Sequence, residues 1–392
     1  MNSPRRLFIV GQNSELYQQW SEYLSGTDWA VEIFTDYDDV KDTLLGNIDS
    51  SALVLLDMSL SEVRDFKFLG GVGSTNAFIV VLENPTATEV ATCYRNDATD
   101  ILIKPFDQKE LLKSLERSAK YQKLLVENQG YREQLEAANR NLQDSLRILE
   151  MDQIAGRQVQ QSMLPVTPQR FGDYEISHFI VPSLYLSGDF VGYHCIFDRY
   201  LVFYAADVSG HGASSAFLTV LLRFLLTRIL RRHVHNDDRD AMARAPQGFV
   251  EYINRQILAI GLDKHLTMFA GSIDMEQNTL RYAVGAHMPM PVLVHDGEVE
   301  MMEGKGKPLG IFEDVHWSIS EKALPDKFAL VLTSDGVLEV LPGESMEDKE
   351  QFMLSAIASS DTSLDSICQQ LGLRDLTESP DDVTVLTVRR GY

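Results

Sequence analysis

The chain has 392 residues, of which 44% are hydrophobic and 23% charged, and 35 basic against 57 acidic side chains give a formal net charge of −22. That length predicts two or three domains with sizeable cores. The acidic balance argues against a principal role on nucleic acid, which needs a basic face, and against docking on anionic lipid.

Cys93, Cys195 and Cys368 are far apart and make neither a CxxC pair nor a disulfide framework, which fits a reducing, cytoplasmic setting. The apolar run near the amino terminus stops at Gly11 with no cleavage site. No uninterrupted apolar stretch approaches the roughly 18 residues of a membrane span, so neither a signal peptide nor a span is expected.

Residues 1–120 alternate short apolar runs with helical patterns. Leu7–Val10, Ala52–Leu56, Phe78–Leu82 and Ile101–Ile103 read as buried parallel strands, and Glu15–Leu24 and Gln108–Ser118 are amphipathic at helical spacing. Strands alternating with helices predict a doubly wound α/β domain whose active edge lies at the carboxyl ends of its strands.

Residues 121–164 predict a helical linker. Tyr121, Asn128, Leu135, Leu142 and Leu149 fall at one heptad position, and Leu124, Tyr131, Ala138 and Ser145 at the other. Such a seam predicts a coiled coil and a parallel homodimer, with Asn128 as a register device. The alternative is a long solvated helix packed on its own domains. Pro165 and Pro168 end it.

Residues 165–392 predict an α+β domain. Leu201–Ala206, Met268–Ile273, Thr279–Val284, Pro291–Val294, Phe328–Thr333 and Val383–Val388 read as strands. Ala213–Arg231, Gln247–Leu258 and Leu364–Leu371 read as helices. Four aspartates sit at strand ends or turns: Asp189 in SGDF, Asp207 in ADVSGHG, Asp335 in TSDGV and Asp382 in PDDVTV. Each alone reads as a turn or cap residue. If they converge, cations must offset their repulsion, and an oxygen-only donor set selects magnesium or manganese. Two such ions about 3.5–4 Å apart can activate a water for in-line attack on a phosphoryl group.

Other motifs carry less. His211 in SGHGAS reads as well as a general base or metal ligand as it does as a turn residue, and the His233–His235 pair could bind a metal but, with no third ligand nearby, reads better as a solvated helix end. GKGKPLG at 304–310 lacks the helix of a phosphate loop and reads as a turn between strands. The chain holds no GxSxG elbow.

Seven segments in order, AGRQVQQSMLP, SGDF, ADVSGHG, YAVGAHMPMPVL, KPLGIF, LVLTSDGVLEV and SPDDVTVLTV, resemble the SpoIIE-like branch of the metal-dependent type 2C protein phosphatases. The resemblance implies an α-β-β-α sandwich and two divalent cations, manganese or magnesium, at one edge. Asp207 would bridge them, Asp189 would complete one, and Asp335 and Asp382 the other. The main-chain carbonyl of Val208 would be a further ligand. It implies serine/threonine phosphatase activity through metal-activated water, with no catalytic side chain beyond the ligands. Gly192 departs from the pattern, standing where the family often has a second acidic residue.

Residues 5–120 resemble the receiver domain of response regulators, carried by Asp57 at the end of ALVLLD and by Lys104-Pro105 in ILIKPF. Asp57 would be the phosphorylation site and Lys104 a signalling residue. The acidic pair that holds magnesium is replaced by Gly11-Gln12, and Glu83 stands where Ser or Thr is usual. The expectation is therefore a degenerate receiver. The whole layout resembles the RssB-type response regulators of gamma-proteobacteria. It implies a phosphorylated anti-sigma-factor antagonist as substrate, with a stress sigma factor and a sensor kinase as further partners. The competing function is a non-catalytic adaptor that binds the stationary-phase sigma factor and promotes its proteolysis. Retention of all four aspartates favours the enzyme.

Overall fold

The computed structural model describes residues 5–35, 52–58, 76–210, 212–376 and 378–392, so His211 lies outside the described residues. The chain divides into two compact units, Met1–Ser145 and Leu146–Tyr392.

The first unit holds a parallel sheet of β1 (Arg5–Val10), β2 (Trp29–Phe34), β3 (Leu53–Asp57), β4 (Phe78–Glu83) and β5 (Asp100–Lys104) in the order β2-β1-β3-β4-β5. That is a doubly wound order, with its switch point between β1 and β3. All five residues of β3 are buried. A central parallel strand is covered on both faces, which is why LVLLD shows no alternation. One face packs Val54, Leu56, Phe78 and Val80 against Cys93 of α2 (Ala87–Arg95). The other packs Ile9, Leu55 and Ile79 against Tyr17 and Trp20 of α1 (Ser14–Tyr23) and Leu111 and Leu115 of α3 (Gln108–Met163). The sequence pattern does not mark β2, because an edge strand with exposed Glu32 and Ile33 has no continuous apolar signal.

The expected linker is one part of a single 56-residue helix, α3, which begins at Gln108 and passes through the division between the units. Tyr121, Leu124, Leu135, Leu142 and Leu149 of the heptad seam are all exposed on it.

The second unit is two antiparallel sheets. β14 (Ser320–Ala323), β11 (Thr279–Gly285), β10 (Leu266–Asp274), β9 (Tyr200–Val208) and β8 (Asp189–Ile196) make the first, in that order. β13 (Glu298–Met301), β12 (Val292–His295), β15 (Phe328–Thr333), β16 (Val383–Arg390), β7 (Tyr174–Val181) and β6 (Gln169–Phe171) make the second. Val191, Phe203, Phe269, Leu330 and Leu386 fill the core between the sheets. On the outer face of the first sheet, Phe190 and Tyr204 meet α4 (Ala213–His235) and α6 (Phe249–Ile260), while α5 (Arg239–Arg244) joins the cluster at their far end. On the outer face of the second, Val331 and Val385 meet α7 (Asp335–Val340), α8 (Met346–Ala358) and α9 (Leu364–Gln370). The layers therefore run α-β-β-α. By length and composition α4 is apolar enough to cross a membrane, but half of that stretch is buried against the sheet.

Among the described residues, two histidines of this domain are buried. His178 and His287 are held down to about 4 by burial, and neither ring nitrogen of His287 has a hydrogen-bond partner. An unfolded histidine titrates near 6.5. Between pH 6.5 and 4 the unfolded chain binds more protons than the folded one, so stability falls as pH falls through that window. Each buried ring should cost roughly 2 kcal/mol between pH 7 and 5. Urea unfolding of His287→Leu should show a correspondingly flatter pH dependence than wild type; identical slopes would mean that the ring is not buried neutral.

Candidate active site

The end of the sandwich where β8 starts and β9 finishes gathers the acidic residues. Asp189 and Asp207 are direct antiparallel partners, so both carboxylates stand on one face, a destabilising like-charge pair. The second sheet brings Asp335, at the start of α7 after β15, beside Asp381 and Asp382, just before β16. Ser334 ties these two loops. Its Oγ donates to the Asp382 carbonyl at 3.0 Å, and Thr384 N donates to Ser334 Oγ at 2.9 Å. Gly336 is required here, because a Cβ would lie 2.1 Å from the Asp382 carbonyl oxygen.

The crowding sets the electrostatics. Burial pushes the Asp189 carboxyl well above the usual carboxylate range, and the Asp207 charge adds to it. Asp207 is pushed up to about 7 by burial, then by Asp335, Asp381 and Asp382. Burial, with Asp381 second, also raises Asp335. Asp189 Oδ2 is buried without a hydrogen-bond partner. Among the described residues no three side chains close into a finished ligand shell. The acidic set is an open edge.

Of the expected ligands, Val208 and Asp382 differ in where their oxygens are placed. The Val208 carbonyl faces Gly188 so closely that a Cβ there would lie 2.7 Å from its oxygen. Asp382 also lies at the cluster, where its charge adds to the rise of Asp189 and Asp207, but both of its carboxylate oxygens are taken up by hydrogen-bond donors. Its Oδ1 accepts from Ser183 N at 2.6 Å and Ser183 Oγ at 3.0 Å, and its Oδ2 from Gly188 N at 2.5 Å. The neighbouring Asp381, which the motif pattern does not single out, is half-buried and is the carboxylate whose charge acts on both Asp207 and Asp335. The PDD doublet is the available signal in the sequence, and spacing alone does not say which of its members faces the cluster.

Residues 198–391 match the family model described as Stage II sporulation protein E (SpoIIE). Protein IcfG of Synechocystis is 26% identical over 272 residues, covering 64% of this chain and 43% of that protein. Phosphoserine phosphatase RsbU of Bacillus subtilis is 26% identical over 184 residues, covering 46% of this chain and 51% of RsbU. The solved SiaA-PP2C domain of Pseudomonas aeruginosa shares the fold, with a TM-score of 0.50 at 20% identity, over 63% of this chain and 99% of that one. Residues 198–391 belong to the SpoIIE-like PP2C phosphatase domain family. The chain spans about half the length of the curated relatives it matches.

Within the SpoIIE-like domain, Gly192 has a physical reason. Its Cβ would lie 2.4 Å from the Tyr204 ring, so Tyr204 fills the room a side chain would need. His233 is not a ligand candidate: its Nδ1 lies 3.0 Å from Asp238 Oδ2 and its ring stacks on Phe249. Residues 304–310 lie in the connection between β13 and β14, but as an irregular segment whose Leu309 bridges to Leu266 rather than as a turn.

The first unit has its own acidic site, and it is plugged. Asp57 is buried at the carboxyl end of β3. Its Oδ2 accepts from Lys104 Nζ at 2.6 Å and from Tyr17 Oη at 3.0 Å. A Cβ on Gly11 would lie 1.7 Å from Tyr17 Oη. The glycine is thus what admits the tyrosine, whose ring packs on Trp20, and Trp20 on Phe106. Gln12 and Glu83 are exposed. Acetyl phosphate with magnesium should therefore leave no phosphoryl group on Asp57, read by intact-protein mass. Stoichiometric labelling would mean that Tyr17 leaves the site readily.

Proposed function

We propose that the chain is a two-domain regulator whose SpoIIE-like domain is a metal-dependent protein serine/threonine phosphatase. The observation that carries this reading is the buried, mutually repelling acidic edge with Asp189 Oδ2 left unpaired. An adaptor gains nothing from such a cluster. The donors fit hard divalent cations, manganese or magnesium, since every group is an oxygen. Asp189, Asp207, Asp335 and Asp381 would hold them, with the Val208 carbonyl, while Asp382 orders the loops behind. Bound there, the ions supply Lewis acidity and lower the pKa of water. The chain's own part is to hold the carboxylates fixed, and the charge of a bound ion would offset the burial and repulsion that raise them.

The substrate class in this reading is phosphoserine or phosphothreonine on an anti-sigma-factor antagonist, with a stress sigma factor as the eventual output, in the cytoplasm. RsbU, by its name a phosphoserine phosphatase, supports the reaction type. The first unit is read as a degenerate receiver of an RssB-type layout, coupled through α3 and working without phosphate from a sensor kinase. The deciding test is manganese-dependent release of phosphate from candidate phosphorylated antagonists by the full chain. Sigma-factor binding without any phosphatase activity would favour the adaptor.

The exposed heptad face of α3 supports a homodimer formed by two copies of this helix. Leu135→Asp with Leu142→Asp should give monomers by light scattering. A double variant that stays dimeric places the contact elsewhere.

A further inference from the structure

We propose that Gln160, on the last turns of α3, is a positioning residue that fixes the acidic edge; the proposal rests on the metal-dependent reading above. Gln160 is only 7% exposed. Its Nε2 donates to the Ser187 carbonyl at 2.7 Å and to Thr219 Oγ1 of α4 at 3.0 Å, and its Oε1 accepts from Ser187 N at 3.1 Å. One side-chain amide thus pairs with both main-chain groups of a single buried residue, as a neighbouring strand would. Only an amide carries a donor and an acceptor in one plane for this; a carboxylate lacks the donor and an ammonium the acceptor.

Ser187 opens the turn that leads into the acidic edge. Its Oγ accepts from Asp189 N at 3.0 Å. Gly188 N donates to Asp382 Oδ2 at 2.5 Å, and Gly188 O accepts from Val208 N at 3.1 Å. Ser187 and Gly188 therefore touch Asp189, Val208 and Asp382 at once. The helix approaches this turn along one face. Tyr185 Oη donates to Glu150 Oε1 at 2.7 Å, and a Cβ on Gly156 would lie 3.3 Å from Leu186 Cδ2. A helix-interior glycine costs about 1 kcal/mol relative to alanine, so its presence where Leu186 packs favours close approach over helix propensity. A shift or rotation of the end of α3 carries Gln160 with it, and the Ser187–Asp189 turn moves too.

Groups that orient ligands typically change metal affinity or activity by about 10–100-fold when removed. Gln160→Met keeps the volume and deletes all three hydrogen bonds. In the full chain, manganese binding by calorimetry should weaken at least about tenfold, and half-maximal activation of p-nitrophenyl phosphate hydrolysis should move to higher manganese in step. Gln161→Met, on the exposed neighbour, should bind like wild type. Thr219→Val removes one anchor of the amide and should shift manganese affinity in the same direction by less; it serves as the test if Gln160→Met unfolds. A Gln160→Met protein that folds and binds manganese like wild type, or an unshifted Thr219→Val where the first variant does not fold, overturns the positioning role. A wild type that binds no manganese overturns the phosphatase reading and this proposal together.

Discussion

Asp207→Asn should abolish manganese-dependent activity and, without metal at pH 8, unfold at a higher temperature than wild type. The two effects share a cause. Asp207 is held up to about 7 by burial and by Asp335, Asp381 and Asp382. An acid whose folded pKa is raised costs nothing below its ordinary value near 3.8. The cost grows as pH rises, because the folded state then binds more protons than the unfolded one, and is complete above about 7. A rise of that size corresponds to at most about 4 kcal/mol. Asparagine removes the charge at nearly constant shape, so the metal-free variant escapes the cost. In wild type, manganese should raise the melting temperature, and more at pH 8 than at pH 6; in Asp207→Asn it should do little at either pH. Thermal melts in chelator and in manganese at both values settle the point. Retained activity, or a lower metal-free melting temperature, would remove Asp207 from the centre of the site.

The sequence carries those parts of the fold that burial makes continuous. LVLLD and FALVLT are buried along their whole length, as parallel or twice-covered strands must be. Strands without a continuous apolar run escape notice: β7, β13 and β14 are partly exposed, and β8, though largely buried, is interrupted by Gly192 and His194. The α7 helix goes unread because six residues are too few to display a period. The site is legible where the acid ends an apolar strand, as at Asp207, or interrupts a turn beside glycine, as at Asp189 and Asp335. The plugged acidic site of the first unit is only half legible. That Gly11-Gln12 supplies no carboxylate is visible in the sequence, but the filling of the space over Asp57 by Tyr17 depends on a ring reaching back from α1, which no spacing rule encodes.

The PDD doublet yields the sharpest separation of roles. Asp381→Asn should lose activity at least about a hundredfold, the upper end for a group that holds or orients a metal, with no loss of stability, while Asp382→Ala should lose stability first and activity as a consequence. Asp382 accepts two main-chain N–H groups and one hydroxyl, and its carbonyl accepts a fourth hydrogen bond from Ser334. Truncating its side chain leaves the buried Gly188 N–H and the half-buried Ser183 N–H without acceptors, at about 1–3 kcal/mol for each group that water does not reach. Asp382→Asn keeps one acceptor oxygen but turns an NH2 toward the other donor, so it should fall between wild type and alanine. Asp381 Oδ1 accepts the N–H of Asp382 at 2.8 Å, a bond within one turn of chain. Its charge falls instead on Asp207 and Asp335, where it repels. Asparagine at 381 keeps an oxygen for that short local bond and removes the repulsion, so the metal-free protein should be as stable as wild type or more so. Urea unfolding in chelator and manganese titrations of activity, run on all three variants, separate the two residues. A stable but inactive Asp382→Ala beside a fully active Asp381→Asn would return the ligand role to Asp382 and require its bonds to Ser183 and Gly188 to break when an ion enters.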